Sequence, residues 1–213
     1  MALGDPYATL DQAKVRVDIP LDDTNDDDRL TGHLATATAD INRWCGRQFN
    51  KADTATARRF RPLSRGRCRV DDFYSTDGLV VAVDADGDGV YEQVWSAADY
   101  ELDPVDGIVE GEPGWPFSAL DAVGAYAFPV AENHAYRPLR RRSVVQLTAR
   151  WGWDAVPKPV HESCLILTEE LHKLADTPFA GAEIAVPGVN RVQMNSRVKG
   201  LLAKYRRPDG WTR

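Results

Sequence analysis

The chain has 213 residues and a mass of 23.6 kDa, enough for one well-buried core or two small ones. Hydrophobic residues make up 43% and charged residues 27%, and a net charge of −6 with a pI near 5.2 argues against a general nucleic-acid binder. No apolar run approaches the roughly 18 residues of a membrane span, and the opening MALGDPYATL lacks the features of a signal peptide, so a cytosolic location in the producing cell is expected.

In chain order, Thr9 can cap a short helix in TLDQAKVRV, with Asp11 in its first turn. The break IPLDDT follows, then a second helix that starts in NDDDRL. Its first turn holds Asp26, Asp27 and Asp28, which suit the positive end of a helix dipole. Leu30, Leu34, Ala37, Ile41 and Trp44 or Cys45 recur at steps of three and four, so the spacing predicts a helix over residues 26–49.

From Ala57 to Trp151 the period changes to two. LVVAV, VYEQVW and SVVQLTARW are rich in β-branched and aromatic residues and are bounded by Gly, Pro and Asp. In the last of them Val145, Leu147, Ala149 and Trp151 share one face, the mark of a half-buried strand. VEGEPGWPF and FPVAENHAYRP read as loops. Helical spacing returns with Val160, Cys164, Leu167, Leu171 and Leu174, which predicts a helix to about Ala175. After an irregular connection, SRVKGLLAKY forms a last helix with Ser196 as its cap and Val198, Leu201, Leu202 and Tyr205 on its apolar side. The expected class is α+β: a small bundle of N- and C-terminal helices with a β-rich insertion between the second and third long helices. The expected parts are residues 1–56, 57–151, 152–195 and 196–213.

Little in the chain suggests catalysis. Cys45, Cys68 and Cys164 form no C-x-x-C pair, which argues against a zinc or redox motif, and Cys45 and Cys164 are expected to be buried and reduced. The four histidines are scattered, and no G-x-S-x-G, P-loop or G-x-G-x-x-G segment occurs. No enzyme and no cofactor are expected.

VVAVDADGDGVYEQVW raises the question of a calcium loop. Asp84, Asp86, Asp88 and Gly89 match its first, third, fifth and sixth positions, but Trp95 stands where the bidentate glutamate belongs. Both flanks alternate as strands, and Asp-Gly pairs favour hairpins, so a β-hairpin tip is the expectation and a calcium-stabilised binding module the distant alternative. The hairpin reading expects only a slight loss of stability when Asp84 or Asp88 is replaced.

In RRFRPLSRGRCRV, Arg59, Arg61, Arg65, Arg67 and Arg69 would share a face wherever the segment is extended, and Arg140, Arg141 and Arg142 form a second cluster. They are either solvated strand and loop charges or a basic surface for an acidic partner or a DNA backbone.

LDQAKVRVDIPLDDTNDDDRLTGHLATATADINRWCGRQF resembles the N-terminal helical signature of the head-to-tail connector (adaptor) proteins of tailed double-stranded DNA bacteriophages. A short helix, an acidic break and a long helix ending in aromatic-Cys-Gly-Arg-x-Phe recur there; here that element is Trp44, Cys45, Gly46, Arg47 and Phe49. VQLTARWGWDAVPKPVHESCLILTEELHKLADTPFAG is similar to the family's returning strand, Gly-Trp turn and third helix, and RVKGLLAKYRR to its C-terminal helix. The stretch from Asp176 to Asn195 matches nothing in that pattern.

The resemblance implies a structural virion protein of the neck, assembled in the host cytoplasm. About twelve copies would form a ring beneath the portal protein, with a stopper or tail-completion protein below and packaged DNA passing through the channel. A stopper or tail-completion role lower in the same neck is the alternative. It also implies that the C-terminal segment engages the portal through Val198, Leu201, Leu202, Tyr205, Arg206, Arg207 and Trp211. That segment is expected to stand away from the core, so that its deletion costs little stability; the alternative is that its helix packs on the bundle. Arg65, Arg67, Arg69, Arg140, Arg141 and Arg142 would face a neighbouring subunit or the DNA channel.

Overall fold

Thr9 begins helix α1 (Leu10–Arg16) with a reciprocal capping box: its hydroxyl accepts from the Gln12 amide, and the Gln12 side chain accepts from the Thr9 amide. The computed structural model describes residues 3–130, 143–175 and 195–207. Its described part is α+β, with four α-helices, an antiparallel sheet of six strands and a separate two-stranded hairpin. The chain divides into two compact units: Leu3–Phe49 joined with the described residues from Val156 onward, and Asn50–Ala155.

The first unit is helical. Helix α2 spans Asp27–Cys45 and buries Leu30, Leu34, Ala37, Ile41 and Cys45, the stripe read from the sequence. It ends before Phe49, because Gly46 turns into the left-handed region with φ 63 and donates its amide to the Asn42 carbonyl. Helix α3 (Lys158–Ala175) packs along α2 with Val160, Cys164 and Leu167 buried. Helix α4 (Ser196–Leu202) packs on α3 and continues into a 3₁₀ turn, Ala203–Tyr205. Its N-cap is Asn195 rather than Ser196, with the Asn195 side chain accepting from the Arg197 amide at 2.8 Å.

Tyr7 ties this unit together. Its hydroxyl accepts from the Phe49 amide at 2.9 Å and bonds Asn42, while its own amide donates to the Thr38 hydroxyl at 3.2 Å. Burial pushes the phenol pKa up, so it stays a neutral donor. Phe49 meets Tyr7 and Tyr205 edge to face, with centroids 5.7 and 5.9 Å apart.

The second unit is built on the sheet, in the order β1-β8-β2-β7-β4 with β3 also paired to β2. Its strands are β1 (Thr56–Phe60), β2 (Arg67–Val83), β3 (Gln93–Trp95), β4 (Tyr100–Asp103), β7 (Phe117–Ala122) and β8 (Val145–Trp151). The small hairpin is β5 (Ile108–Val109) with β6 (Glu112–Pro113), inside a stretch expected to be loop. Strand β8 alternates buried and half-buried residues as the sequence predicts.

Phe60, Val81, Val83, Trp95, Leu147 and Trp151 lie in the core of this unit. The 17-residue β2 pairs with β7 along its first half and with β3 along its second, and register shifts between Arg69 and Val80 mark where it bends. Asp72 lies within this bend with 4% of its surface exposed; its carboxylate accepts from the Trp153 indole N–H at 3.1 Å. VYEQVW keeps only three residues in a strand. Val90 and Ala85 instead donate their amides to the side chains of Asp88 and Glu92, which takes those residues out of the ladder.

All three cysteines are buried and free of disulfides. Burial pushes the Cys45 and Cys68 thiols up to about 12, so neither is a reactive thiolate at neutral pH. Among the described residues no helix is long and apolar enough to cross a membrane.

Candidate partner-binding surfaces

The aspartate loop is a hairpin connection with a nine-residue path, Asp84 to Glu92, between β2 and β3. Asp84 is fully buried, and its two carboxylate oxygens accept from the amides of Gly87 at 2.6 Å and Gly89 at 2.9 Å. Asp86 accepts from the Asp88 amide and Asp88 from the Val90 amide. Gly87 and Gly89 have φ of 81 and 100, which only glycine adopts without strain. The three carboxylates each bring an oxygen within 4.8 Å of the others, but all three already accept from the loop's own amides. The arrangement does what a hairpin connection requires: it satisfies a wide loop from within.

The arginine-rich stretch does not form one extended face. Strand β1 stops at Phe60, and a turn precedes β2, held by Leu63 and Ser64 amides donating to the Arg67 carbonyl and the Arg67 amide donating to the Ser64 hydroxyl. Arg67 lies between two carboxylates, pairing with Asp121 at 3.0 Å and with Asp103. Arg69 is half-buried, while Arg59, Arg61 and Arg65 are exposed. Arg58 covers the Trp151 indole at 4.4 Å and pairs with Asp71 at 2.7 Å, so it belongs to the packing of the sheet edge. Arg140, Arg141 and Arg142 lie outside the described residues.

The C-terminal helix departs from the expectation of a free arm. Val198 and Leu202 are fully buried and Tyr205 is 6% exposed, so the apolar side is turned into the helical unit. The Arg207 amide donates to the Cys45 carbonyl at 2.9 Å, satisfying one of the carbonyls left open at the end of α2. Arg206 stands over the Trp44 ring at 5.8 Å. Of the residues expected to meet a portal, Leu201 and Arg207 are half-buried and Arg206 is exposed. Arg197, Lys199 and Lys204 join Arg206 on the exposed side, which is therefore cationic rather than apolar. Trp211 lies outside the described residues.

One structural device was not anticipated. Lys14 is 2% exposed, and its ammonium donates to the carbonyls of Leu21 at 3.2 Å and Asp23 at 2.8 Å and pairs with Asp27. It pins the acidic break between α1 and α2 into a defined knuckle with Leu21 exposed. The signal was present: Leu10, Ala13, Lys14 and Val17 occupy successive positions of one helical face, and six aspartates follow before the next basic residue.

No family model matches the chain, and no curated protein does. Among solved structures, a chain described as the neck of an empty gene transfer agent (GTA) particle computed with C6 symmetry is similar, with a TM-score of 0.55 and 16% identity. The match covers 99% of this chain and 95% of that one, so the likeness is one of whole fold to whole fold.

Proposed function

We propose that this protein is a structural component of the neck that joins the head of a phage-like particle to its tail, acting as an adaptor ring beneath the portal. The observation that carries the reading is the fold likeness to a chain of a gene transfer agent neck along nearly the full length of both chains. The connector-like order of acidic break, long helix ending in Trp-Cys-Gly-Arg-Gln-Phe, and returning strand and helix supports the adaptor level. A ring of about twelve copies is compatible with sixfold symmetry, since twelve is a multiple of six.

In this role the protein works without catalysis. The helical unit supplies a rigid body, held by the Tyr7 network and by Arg16 of α1, which pairs with Glu169 at 2.6 Å and Glu162 at 3.1 Å on α3. The portal contact is made by the cationic side of the C-terminal helix, Arg197, Lys199, Lys204 and Arg206, which fits an acidic partner surface. The finished ring resides in the virion neck after assembly in the host cytoplasm, with packaged DNA passing through it and a stopper or tail-completion protein below.

Electron microscopy of the purified protein mixed with portal rings tests the reading. A symmetric layer of added density on the tail-facing end of the portal is the expected result. Binding only to portals already carrying another neck protein would move this chain to the stopper position. Complete necks in particles lacking the chain would overturn the reading.

A further inference from the structure

We infer that an uncharged, extended peptide segment of another protein docks beside the free edge of strand β3, in the cavity walled by Trp95 and Tyr126. The inference goes beyond the ring reading above and does not depend on it, since every residue it uses lies within the sheet unit.

The cavity has a volume of about 460 Å³ and is lined by Gln93, Trp95, Ala125, Tyr126 and Ala127, none of them charged. Trp95 carries the observation that points to a ligand. It is 4% exposed, and its indole N–H is buried with no hydrogen-bond acceptor. The other buried indoles of this unit are satisfied: Trp151 donates to the Thr56 carbonyl at 2.8 Å and Trp153 to Asp72 at 3.1 Å. A buried indole N–H normally finds an acceptor, so a carbonyl supplied from outside is what this site lacks. Tyr126 meets the Trp95 ring edge to face at 5.2 Å and is itself 40% exposed, so a turn of this side chain widens the access to Trp95.

The backbone around the cavity is open in the same way. Strand β3 pairs with β2 on one side, Val81 opposite Trp95 and Val83 opposite Gln93, and its other edge is unpaired among the described residues. Across the cavity, the amides of Ala125 and Ala127 and the carbonyls of Ala125, Tyr126 and Ala127 have no partner among the described residues. That wall is nevertheless fixed. The Tyr126 amide donates to the Val123 carbonyl at 3.3 Å and the Phe128 amide to the Arg65 carbonyl at 2.8 Å, while the Phe128 ring stacks on Trp95 at 4.7 Å. Unpaired edge backbone takes up a further strand through main-chain hydrogen bonds, and a preformed site loses little conformational freedom on binding.

The chemistry of the occupant follows from the walls. Side chains alternate along a strand, and β3 shows both faces: Trp95 is buried, while Val94 is 65% exposed. An incoming strand therefore sets alternate residues toward the Trp95 side and those between them beside Val94. Small apolar or β-branched side chains fit there and charges do not. The outer sheet edges of this chain are themselves charged, β1 with Arg58 and Arg59 and β4 with Glu101 and Asp103. Neither suits an uncharged cavity, so the segment comes from another protein and not from the sheet edge of a second copy.

Nuclear magnetic resonance of the isotope-labelled full chain tests the site, with the blocked peptide acetyl-Thr-Val-Thr-Val-Thr-amide as the probe. The Trp95 indole N–H signal should move downfield and saturate, and amide exchange along β3 should slow. Trp95→Phe removes the donor and keeps a ring, and Tyr126→Ala removes an exposed wall; each should weaken binding about tenfold while leaving the circular dichroism unchanged. The peptide acetyl-Thr-Pro-Thr-Pro-Thr-amide cannot donate at alternate positions and should not bind. Absence of a saturable shift at Trp95, equal binding of the proline peptide, or unchanged affinity in the variants would each overturn the inference. So would an indole signal already downfield in the free protein, because a segment of the chain itself then fills the cavity. Self-association of the free chain that Trp95→Phe abolishes would overturn it too, because the occupant is then a second copy. If Trp95→Phe fails to fold, Tyr126→Ala decides.

Discussion

A β-carbon on Gly152 would lie 1.8 Å from the carbonyl oxygen of Asn50, far inside contact distance. The crowding has a cause: the Gly152 amide donates to the Asp72 carbonyl at 2.7 Å, and the Trp153 amide donates to that same Asn50 carbonyl at 3.2 Å. Gly152 also has φ 99, which L side chains avoid. Gly152→Ala should therefore destabilise the protein by about 3 kcal/mol or more, since steric overlap and backbone strain act together. Urea denaturation measures it; a loss below about 1 kcal/mol would mean the segment at Asn50 can move aside.

The aspartate loop gives a graded prediction. Asp84 is buried and satisfies two amides, whereas Asp86 and Asp88 are exposed and satisfy one each. Asp84→Ala should cost about 2 kcal/mol, because two loop amides lose their acceptor, and Asp88→Ala less than about 1 kcal/mol. Thermal melts of both variants, with and without calcium, check the order. Equal losses, or a calcium-dependent rise in the wild type that both variants abolish, would bring back the ion-binding alternative.

The physical origin of what could be read in advance is local. Thr9 and Gln12, the α2 stripe and the alternation in β8 lie within one element each, so spacing alone reveals them. Phe49 shows where this stops. The spacing places it in the last turn of α2, yet it is buried for another reason: it packs between Tyr7 and Tyr205 after the chain has left the helix at Gly46. Strand β2 was legible only in its LVVAV portion. Asp71, Asp72, Ser75 and Asp77 break the alternation, and Asp72 finds its partner Trp153 81 positions away. The arginine run shares a face only where the chain is extended, and the turn between Phe60 and Arg67, set by the Leu63, Ser64 and Arg67 hydrogen bonds, interrupts it. Lys14 likewise draws its partners, the Leu21 and Asp23 carbonyls and Asp27, from beyond its own helix. A lysine reads as exposed until the chain folds back to supply carbonyls for its ammonium.

Acid should loosen the helical unit through Glu169. The hydrogen bond from Lys173, and next that from Arg16 at 2.6 Å, hold the Glu169 carboxyl below its ordinary value of 4.5. A carboxyl depressed in the folded state stabilises it fully above the unfolded pKa, and the contribution is lost as pH falls through the folded pKa. Glu169→Gln should thus be less stable than wild type at neutral pH, with the difference shrinking once the pH drops below 4.5. Denaturant midpoints followed from neutral to acid pH check the sign. A gap that stays constant would show that the residue contributes by packing and not by charge.

The C-terminal helix separates stability from docking. Leu202 and Val198 are fully buried, so Leu202→Ala should cost about 2–5 kcal/mol by leaving a cavity, and removal of residues 196–213 should destabilise the helical unit rather than leave it intact. Arg197, Lys199, Lys204 and Arg206 face solvent, and replacing exposed charges costs little in fold stability. Under the adaptor reading, Arg197→Glu with Lys204→Glu should keep the melting temperature within a few degrees and abolish portal binding. Leu202→Ala, assayed below its own melting point, should still bind. Calorimetry paired with portal pull-down reads both quantities on the same samples. If the charge variant binds normally, the portal contact lies elsewhere on the chain. If it melts early, the cations hold the helix to the bundle, and their apparent exposure is not the property that matters.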